Sequence, residues 1–416
     1  MMVVQRLIFF FLALLWFVGL LAFIENAPYL YIFLSLFCMM IFRALKIKKF
    51  PIKKAILTNF AAVILALALA EAYLAGWEGL GLSPKLVQNN ILLEKGVLAT
   101  EPNISVMDDV RGYALAKNSK IRSVETLGNK TIYDVVYTAN QHGLRVAPHN
   151  SKESSVILPK HYQNVVFFGC SCTFGEGVQD HETWPYLLEE KSGGRYQSYN
   201  FAMEGYGPHQ MLRILETGLL DDIMMDKQPS IAIYLALPQH IIRSSCKYPY
   251  FTWDVNGPRY VLNSRHEVEY MGKFNETLFL KLKFMIFQQL AKSYLISESF
   301  WIKELLGWNI YQVDKETFIE IILKAREIFC QKFNGKFYVI LWAKNIWSDE
   351  SDEYKYVAAE LQKRQVHVID TKDIFANRNH INKEIYQINY DGHPNPLAYQ
   401  KVAEYMLNYL NVNLGE

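Results

Sequence analysis

The stretch NVVFFGCSCTFGEGV, residues 164–178, decides the fold class of this chain. The run Val165–Phe168 is apolar and has the length of a buried strand, and Gly169 follows it at once. Open α/β sheets carry reactive groups at the carboxyl ends of their strands, where the chain turns into a helix. Ser171 stands at such a turn. Because serine in this position also serves as a helix N-cap, both roles stay open at this point.

The same strand, turn and helix pattern recurs from residue 164 to residue 410. The strand-like runs are NVVFFG (164–169), RYQSYNFA (195–202), SIAIYLAL (230–237), KFYVILWA (336–343) and VHVID (366–370). The helical patterns between and after them are TWPYLLEEK (183–191), His209–Leu220, DEYKYVAAELQKR (352–364) and Pro396–Leu410. This alternation predicts an α/β fold with a doubly wound, flavodoxin-like and mostly parallel sheet that has helices on both faces.

Two further segments complete the expected domain layout. Residues 78–160 form a small β-rich lead-in, in which Tyr133, Val135 and Tyr137 share one strand face, and residues 161–416 form the α/β domain. A long aromatic-rich insertion at 243–312 interrupts that domain. The insertion is read as a helical cap, with a substrate lid or a surface lying on the membrane as the alternatives.

Three apolar stretches precede these domains. Leu7–Ile24 has 18 residues without a charge, close to the roughly 20 that cross a bilayer. Asn26–Phe42 is also uncharged, and Ala55–Trp77 is interrupted only by Glu71. We expect three transmembrane helices that form an anchor over residues 1–77. A cleaved signal peptide is the alternative for the first stretch, and a re-entrant or interfacial segment is the alternative for the second.

The segment RALKIKKFPIKK, residues 43–54, sets the orientation because its six basic residues resist translocation and should face the cytoplasm. The chain then leaves the inner (plasma) membrane near Trp77, and the catalytic domain lies on the extracytoplasmic (periplasmic) side. Membrane lipid is accordingly an expected partner. Glu71, less than two turns from the outer end of its span, is expected to reach the headgroup layer, although an intramembrane carboxyl is also a functional candidate.

Composition and charge exclude several classes of protein. Hydrophobic residues make up 51% of the 416 residues, concentrated near the N-terminus, which excludes a plain soluble enzyme, a disordered chain and a fibrous rod. Residues 1–76 carry seven basic and two acidic residues, a net charge of +5, and the remainder has a net charge of −3. No basic stripe is present in that remainder, so nucleic acid is not an expected partner.

A second chemical motif lies near the C-terminus, in NYDGHPNPLAYQKVAEYM, residues 389–406. A serine hydroxyl is a weak nucleophile until a base removes its proton, and an acid must hold that base in one tautomer. Asp391 and His393 are the candidates for acid and base. A turn and a surface histidine before a capped helix remain the alternative for this motif alone.

Taken together, three blocks of the chain resemble the SGNH, or GDSL-type, hydrolases, and in particular membrane-anchored bacterial members. GCSCTFG (169–175) matches the first block and places the nucleophile at Ser171. NFAMEGYGPHQML (200–212) resembles the second block, which implies an oxyanion-binding backbone N–H at Gly205. Asn200 opens this block and Tyr206 follows the oxyanion glycine, so both are expected to contact substrate, with a structural role as the alternative for Tyr206. DGHPN (391–395) resembles the last block and carries the acid and the base.

The third block departs from the family pattern. The family commonly has an asparagine whose side-chain amide is an oxyanion donor, whereas this chain has YLALPQHIIR, residues 234–243. Gln239 or His240 would have to substitute, since glutamine offers an NH₂ group and histidine a ring N–H. The acid and base are also one residue closer together than in the familiar D-x-x-H pattern.

The five cysteines predict neither a disulfide scaffold nor a zinc ribbon, because they are few and include no C-x-x-C pair. Cys170 and Cys172 flank Ser171 and are expected to pack beneath the turn as buried thiols. A bridge from either one to Cys246 or Cys330 stays open for an oxidising compartment.

These observations favour a membrane-anchored serine esterase that forms an acyl-Ser171 intermediate. The resemblance implies O-acyl esters, such as acetyl groups on a surface glycan or a lipid-linked sugar, as substrates, and no metal or dissociable cofactor. One alternative is a glycan O-acyltransferase that uses the same triad with a partner membrane acyltransferase. The other is a catalytically silent subunit that assembles with other membrane proteins.

Overall fold

A computed structural model describes the chain in nine ranges, to which every structural statement refers. They are residues 28–47, 50–79, 83–94, 105–150, 162–224, 230–247, 252–342, 352–375 and 385–414. The first predicted span, Leu7–Ile24, lies outside them.

The elements of these residues are numbered in chain order. The strands are β1 Leu86–Glu94, β2 Ser105–Asp108, β3 Gly112–Leu115, β4 Lys120–Leu127, β5 Lys130–Thr138, β6 Gln163–Phe168, β7 Tyr196–Asn200, β8 Ser230–Ala236, β9 Pro258–Leu262, β10 Val268–Lys273, β11 Lys336–Leu341 and β12 His367–Asp370. The helices are α1 Pro28–Lys46, α2 Pro51–Gly79, α3 Ser171–Phe174, α4 Trp184–Lys191, α5 Pro208–Glu216, α6 Gln239–Ser245, α7 Leu278–Leu290, α8 Tyr294–Glu298, α9 Phe300–Leu306, α10 Gln312–Phe333, α11 Asp352–Lys363, α12 Thr371–Ile374 and α13 Pro396–Leu414.

The chain divides into two compact units whose boundaries differ from the expected domains. One unit joins the N-terminal segment up to Lys85 with Phe279–Asn309, and the other comprises Leu86–Leu278 and Ile310–Glu416. The β-rich lead-in therefore belongs to the same unit as the α/β sheet. The helices of the insertion belong instead to the same unit as the N-terminal helices.

The N-terminal helices α1 and α2 are antiparallel neighbours, joined at residues 47–50, and they pack against each other. Helix α2 is broken at Gly76, whose φ of +61° lies in the left-handed region that glycine tolerates. Within the described residues, the stretch Pro51–Gly76 is the one helix long and apolar enough to cross a membrane.

The centre of the second unit is a five-stranded parallel sheet in the order β7-β6-β8-β11-β12. Successive side chains of a strand point to opposite faces, and β6 shows the consequence. Val165 and Phe167 are buried with residues of α4 and α13. Val166 and Phe168 are buried on the other face with residues of α5, α10 and α11. The prediction of a doubly wound, flavodoxin-like sheet is confirmed.

The lead-in strands form a three-stranded antiparallel sheet in the order β1-β4-β5, beside the hairpin β2-β3. The predicted common face of Tyr133, Val135 and Tyr137 is confirmed, since all three side chains are buried. They share an apolar cluster with Phe174 of α3. This packing sets the lead-in sheet against the turn that follows β6.

The insertion is helical only in its second half. Its first half contains the antiparallel hairpin β9-β10, in which Tyr260 pairs with Tyr270. The aromatic and β-branched residues of PRYVL and VEYMGK favour strands over helices, which explains the difference from the expected helical insertion. Helices α7 to α9 follow in the other unit.

Candidate active site

Ser171 is the first residue of α3, at the carboxyl end of β6, which lies between β7 and β8 in the parallel sheet. Gly169 makes the turn between them, with a φ of +153°. A Cβ atom there would lie 2.3 Å from the Thr173 Oγ1 atom, so no larger residue fits. Gly175 ends α3 in the left-handed conformation. The glycines of this motif thus hold Ser171 in a tight strand-to-helix turn.

The hydroxyl of Ser171 lies beside His393, which comes from the loop before α13. The distance from Ser171 Oγ to His393 Nε2 is 2.9 Å, and His393 Nδ1 lies 2.8 Å from Asp391 Oδ2. Because the carboxylate accepts the Nδ1 proton, a neutral His393 directs its Nε2 lone pair at the hydroxyl. The structure therefore brings the three sequence-predicted residues together in the geometry of a serine hydrolase triad.

A tight turn explains how two-residue spacing between Asp391 and His393 suffices. Asp391 Oδ2 accepts the backbone N–H of His393 at 3.0 Å as well as its ring N–H, so the carboxylate folds back over the turn. Gly392 between them has a φ of +90°. Ile388 closes the turn, since its N–H donates to the carbonyl of His393 and its carbonyl accepts from Gly392.

A second carboxyl group faces the same imidazole nitrogen. Glu176 Oε2 lies 3.3 Å from His393 Nε2, and the Glu176 side chain is largely buried. Burial by itself would lower the pKa of His393, but the negative charges of Glu176 and Asp391 raise it to about 10. Burial also raises the pKa of Glu176, which weakens the effect of its charge on the imidazole. Glu176 and Asp391 together make His393 a stronger base than a free imidazole.

A third carboxyl group supports the acid of the triad. Glu125, on β4 of the lead-in sheet, lies close enough to Asp391 for the two carboxyl groups to interact. Its burial and the charges of Asp391 and Glu176 raise the pKa of Glu125 to about 7. When Glu125 is protonated, it can donate a hydrogen bond to the Asp391 carboxylate. Burial and the hydrogen bond from His393 act in opposite directions on Asp391, and the net effect is a lowered pKa.

Sequence reasoning missed Glu125, Glu176 and the nearby Glu204. Burial and the charge of Glu176 raise the pKa of Glu204 well above its usual value. Glu176 lies five residues after Ser171, and a charged residue so close to Ser171 in the sequence could have indicated a role near the site. Glu125 carried no such signal, because only the packing of the lead-in sheet brings it to Asp391.

Two backbone N–H groups are available for an oxyanion. Neither Ser171 nor Gly205 donates its backbone N–H to an acceptor within the described ranges. Gly205 has a φ of +79°, and a Cβ atom there would lie 2.3 Å from Trp253 Nε1 and 2.7 Å from the Tyr113 hydroxyl. The close approach of these two side chains therefore requires glycine at this position.

The two candidates for the third oxyanion donor lie at the start of α6. His240 is fully buried, and its Nδ1 atom lies 2.6 Å from the Tyr234 hydroxyl. This ring nitrogen is therefore hydrogen-bonded to another side chain of the protein. Burial lowers the pKa of His240, which favours the neutral ring. Gln239 is less buried, and its Oε1 has no hydrogen-bond partner among the described residues. The Nε2 atom of His240 has no partner there either, so both side chains remain candidates for the third donor.

Asn200 and Tyr206, expected to contact substrate, are supports inside the fold. Asn200 is buried, its Nδ2 donates to the carbonyl of Thr173 at 3.1 Å, and its Oδ1 accepts from Ala202 N at 3.2 Å. The Tyr206 hydroxyl donates to the carbonyl of Tyr113. Because these polar atoms already have internal partners, a substrate role is not needed to explain either residue.

Arg145, which lies between β5 and β6 along the chain, also supports the turn that carries Ser171. Its buried guanidinium donates to the carbonyls of Phe174, Gly175 and Val178 and pairs with Asp180 at 2.9 Å. These bonds satisfy carbonyl groups at the end of α3 that the short helix cannot. The hydrogen bonds from Arg145 therefore stabilise the turn that carries Ser171.

The cysteines pack as expected, because Cys170 and Cys172 are buried beneath the turn. All five cysteines are free thiols, so the structure contains no bridge to Cys246 or Cys330. Within the described residues, no group of three histidine, cysteine or acidic side chains is arranged to hold a metal ion.

Several solved structures are similar to this chain. A lipolytic protein of the G-D-S-L family from Desulfitobacterium hafniense is 12% identical over 59% of this chain and 98% of that chain, with a TM-score of 0.33. A member of the same family from Veillonella parvula is 14% identical over 59% and 97%, with a TM-score of 0.33. An acetyl xylan esterase from Geobacillus stearothermophilus is 12% identical over 61% and 95%, with a TM-score of 0.33. No family model and no curated protein matches the chain.

Proposed function

We propose that this chain is a membrane-anchored serine esterase that hydrolyses O-acyl esters. The observation that carries the proposal is the continuous hydrogen-bonded series from Ser171 Oγ through His393 to Asp391, at 2.9 and 2.8 Å. This series is what a serine nucleophile needs, since the base must reach the hydroxyl and the acid must fix the tautomer of the base.

In the first half of the reaction, Ser171 Oγ attacks the ester carbonyl carbon while His393 Nε2 takes the hydroxyl proton. The backbone N–H groups of Ser171 and Gly205 hold the oxyanion, and the side chains of Gln239 and His240 are our candidates for the third donor. The C–O bond to the alcohol then breaks, and His393 returns its proton to the leaving oxygen. The products are the free alcohol and an acyl ester on Ser171.

In the second half, water replaces the alcohol. His393 Nε2 takes one proton from the water as its oxygen bonds to the acyl carbon, and the proton then passes to Ser171 Oγ as the acyl–enzyme bond breaks. Asp391 stabilises the imidazolium in both halves without becoming protonated. Glu176 has two opposite effects on the reaction. Its charge stabilises the imidazolium formed during attack, but the same charge also favours the protonated form of His393 before attack.

The substrate class is part of the proposal. Acetyl or similar acyl groups on a surface glycan or lipid-linked sugar fit an esterase tethered to a membrane, and one of the similar proteins is an acetyl xylan esterase. The helix Pro51–Gly76 supports the anchor by its length and composition. The basic segment between α1 and α2 supports a cytoplasmic loop and an extracytoplasmic active site.

Labelling with a fluorophosphonate, which reacts with activated serines, tests the proposal. We expect the wild-type chain to be labelled and the Ser171→Ala variant to remain unlabelled. A Ser245→Ala variant, which removes a partly buried serine of α6, is the matched control and should label normally. Absence of label in a folded wild-type chain would favour a silent subunit. Acyl transfer to an added glycan faster than hydrolysis would favour a transferase.

A further inference from the structure

The unit that contains the candidate span also contains the helices of the insertion, and a buried carboxylate connects them. Glu71 of α2 is fully buried. Its Oε2 accepts from Ser293 Oγ and Leu295 N, both at 2.9 Å, and its Oε1 accepts from Tyr294 N at 2.7 Å. The carboxylate of the span is therefore paired inside this unit. It binds the first turn of α8.

A second contact ties the same segment to the other N-terminal helix. The Tyr29 hydroxyl of α1 donates to the carbonyl of Gln289 at the end of α7, at 2.7 Å. Helices α7 and α8 are thus attached to α1 and α2 at two separate points. Since an unpaired buried carboxylate would be strongly unfavourable, the contact with Glu71 makes the insertion an integral part of this unit.

The position of Glu71 in its helix sets the level of the insertion relative to a bilayer. Glu71 lies five residues before Gly76, which corresponds to about 7–8 Å along the helix axis. A helix of 26 residues is about 39 Å long and exceeds a hydrocarbon core of about 30 Å by a few ångströms at each end. Glu71 and the turn it binds therefore fall at the boundary between headgroups and hydrocarbon.

The outer faces of the insertion helices are apolar. Helix α7 has no buried residue, although most of its side chains are apolar. Trp301 and Leu305 of α9 are 80% and 84% exposed, one helical turn apart on the same face. The other large apolar side chains that α7 and α9 expose are Phe279, Leu282, Met285, Ile286 and Phe300. An apolar surface of this kind is unusual on a water-exposed domain.

The lysines of these helices suit the same boundary. Lys281 and Lys283 lie on α7, and Lys303 lies between Trp301 and Leu305 along α9, where Glu298 of α8 and Glu304 of α9 are the acidic residues of the segment. Lysine side chains extend from an apolar surface to reach lipid phosphates, and tryptophan concentrates at the membrane interface. The mixture of exposed apolar groups and lysines is that of helices lying in an interface, in contrast with a protein-binding face.

We propose that α7 to α9 lie in the membrane–water interface and bind lipid, as an interfacial part of the anchor. This inference rests on the proposed membrane anchorage and extends it to a segment more than 200 residues further along the chain. The apolar side chains of α7 and α9 contact acyl chains, and the lysines contact phosphates. The occupant of this surface is the bilayer, and a second copy of the chain or another membrane protein is the competing outcome.

Site-specific photocrosslinking in proteoliposomes of phosphatidylethanolamine and phosphatidylglycerol tests the inference. A benzophenone amino acid replaces Trp301 or Leu305 in the full chain. Leu69 in the span, 63% exposed, is the positive control, and Val412 of α13, 79% exposed, is the control for exposure without lipid. We expect lipid adducts at positions 301 and 305 within about threefold of position 69, and at least tenfold fewer at position 412. Fluorophosphonate labelling of each variant reports folding of the α/β unit.

The outcomes separate this inference from the anchor itself. Lipid adducts at position 69 without adducts at 301 and 305 overturn the interfacial placement and leave the anchor intact. Absence of adducts at all positions, including 69, overturns the anchor. Adducts between positions 301 or 305 and another protein chain overturn lipid binding and assign this surface to an assembly.

Discussion

The Nε2 atom of His393 lies 2.9 Å from the Oγ atom of Ser171, although 222 residues separate the two along the chain. Ser171 follows β6, the first strand of the parallel sheet, and His393 precedes the last helix, α13. Helix α13 packs on one face of the sheet, against Val165 and Phe167 of β6.

Removal of the triad residues should abolish ester hydrolysis without unfolding the chain. We expect Ser171→Ala and His393→Ala to lower kcat by roughly 10⁴-fold or more, and Asp391→Asn by about 10³- to 10⁴-fold. The double variant Ser171→Ala/His393→Ala should be no worse than either single variant, because the residues act as a unit. Steady-state hydrolysis of a p-nitrophenyl acetate substrate measures this, and additive losses would contradict a triad.

Glu176→Gln should move the pH dependence of hydrolysis toward acid. The charge of Glu176 helps to raise the pKa of His393 to about 10, so its removal lowers that pKa and frees the base at lower pH. We expect the acid limb of kcat/KM, which reports the free enzyme, to shift down by about one to three pH units. Glu190→Gln, at an exposed residue of α4, is the matched control. An acid limb that stays in place would exclude an interaction between Glu176 and His393 in solution.

Glu125→Gln should reduce the dependence of stability on pH. Because the pKa of Glu125 is raised to about 7 in the folded chain, the folded state binds more protons than the unfolded state between about pH 4.5 and 7. The contribution of this residue to the unfolding free energy therefore falls as pH rises through that window. Glutamine keeps a donor for Asp391 and does not titrate.

The measurement is the difference in Tm between pH 5 and pH 8 for the two chains in one detergent. The variant should lose fewer degrees over this range than the wild type. Glu190→Gln again serves as the control and should match the wild type. Equal losses in all three chains would mean that Glu125 is not buried against Asp391.

Gly205→Ala should impair catalysis more than its backbone strain alone explains. The new Cβ atom would lie 2.3 Å from Trp253 Nε1 and 2.7 Å from the Tyr113 hydroxyl, which displaces the backbone N–H proposed for the oxyanion. We expect kcat to fall by about 10²- to 10³-fold, as for loss of one oxyanion donor. Gly193→Ala is the matched control, since Gly193 also has a positive φ, +65°, but no neighbour within 4 Å. Similar losses in both variants would point to strain alone.

The sequence by itself determined the α/β class and singled out Ser171, His393 and Asp391, the three residues that the structure brings together. These features depend on residues that are close together in the sequence. The alternation of apolar strands and helices predicts the sheet. The conformations of the Gly-rich turn after β6 and of the short turn at Asp391–His393 follow from the residues within each turn. Strand order then follows from the connections of a doubly wound sheet, so residues at the carboxyl ends of its strands meet. The common face of Tyr133, Val135 and Tyr137 was predictable for the same reason, because strand periodicity is local.

Only the tertiary structure decided which other side chains reach the triad and where the insertion belongs. Glu125 lies on an antiparallel strand whose place beside Asp391 depends on packing across the lead-in sheet, and Glu71 finds its partners more than 200 residues away in α8. The internal roles of Asn200 and Tyr206 depend likewise on distant carbonyl groups. Burial and charge act through space over a few ångströms, and the sequence alone does not specify which residues will be brought within that distance.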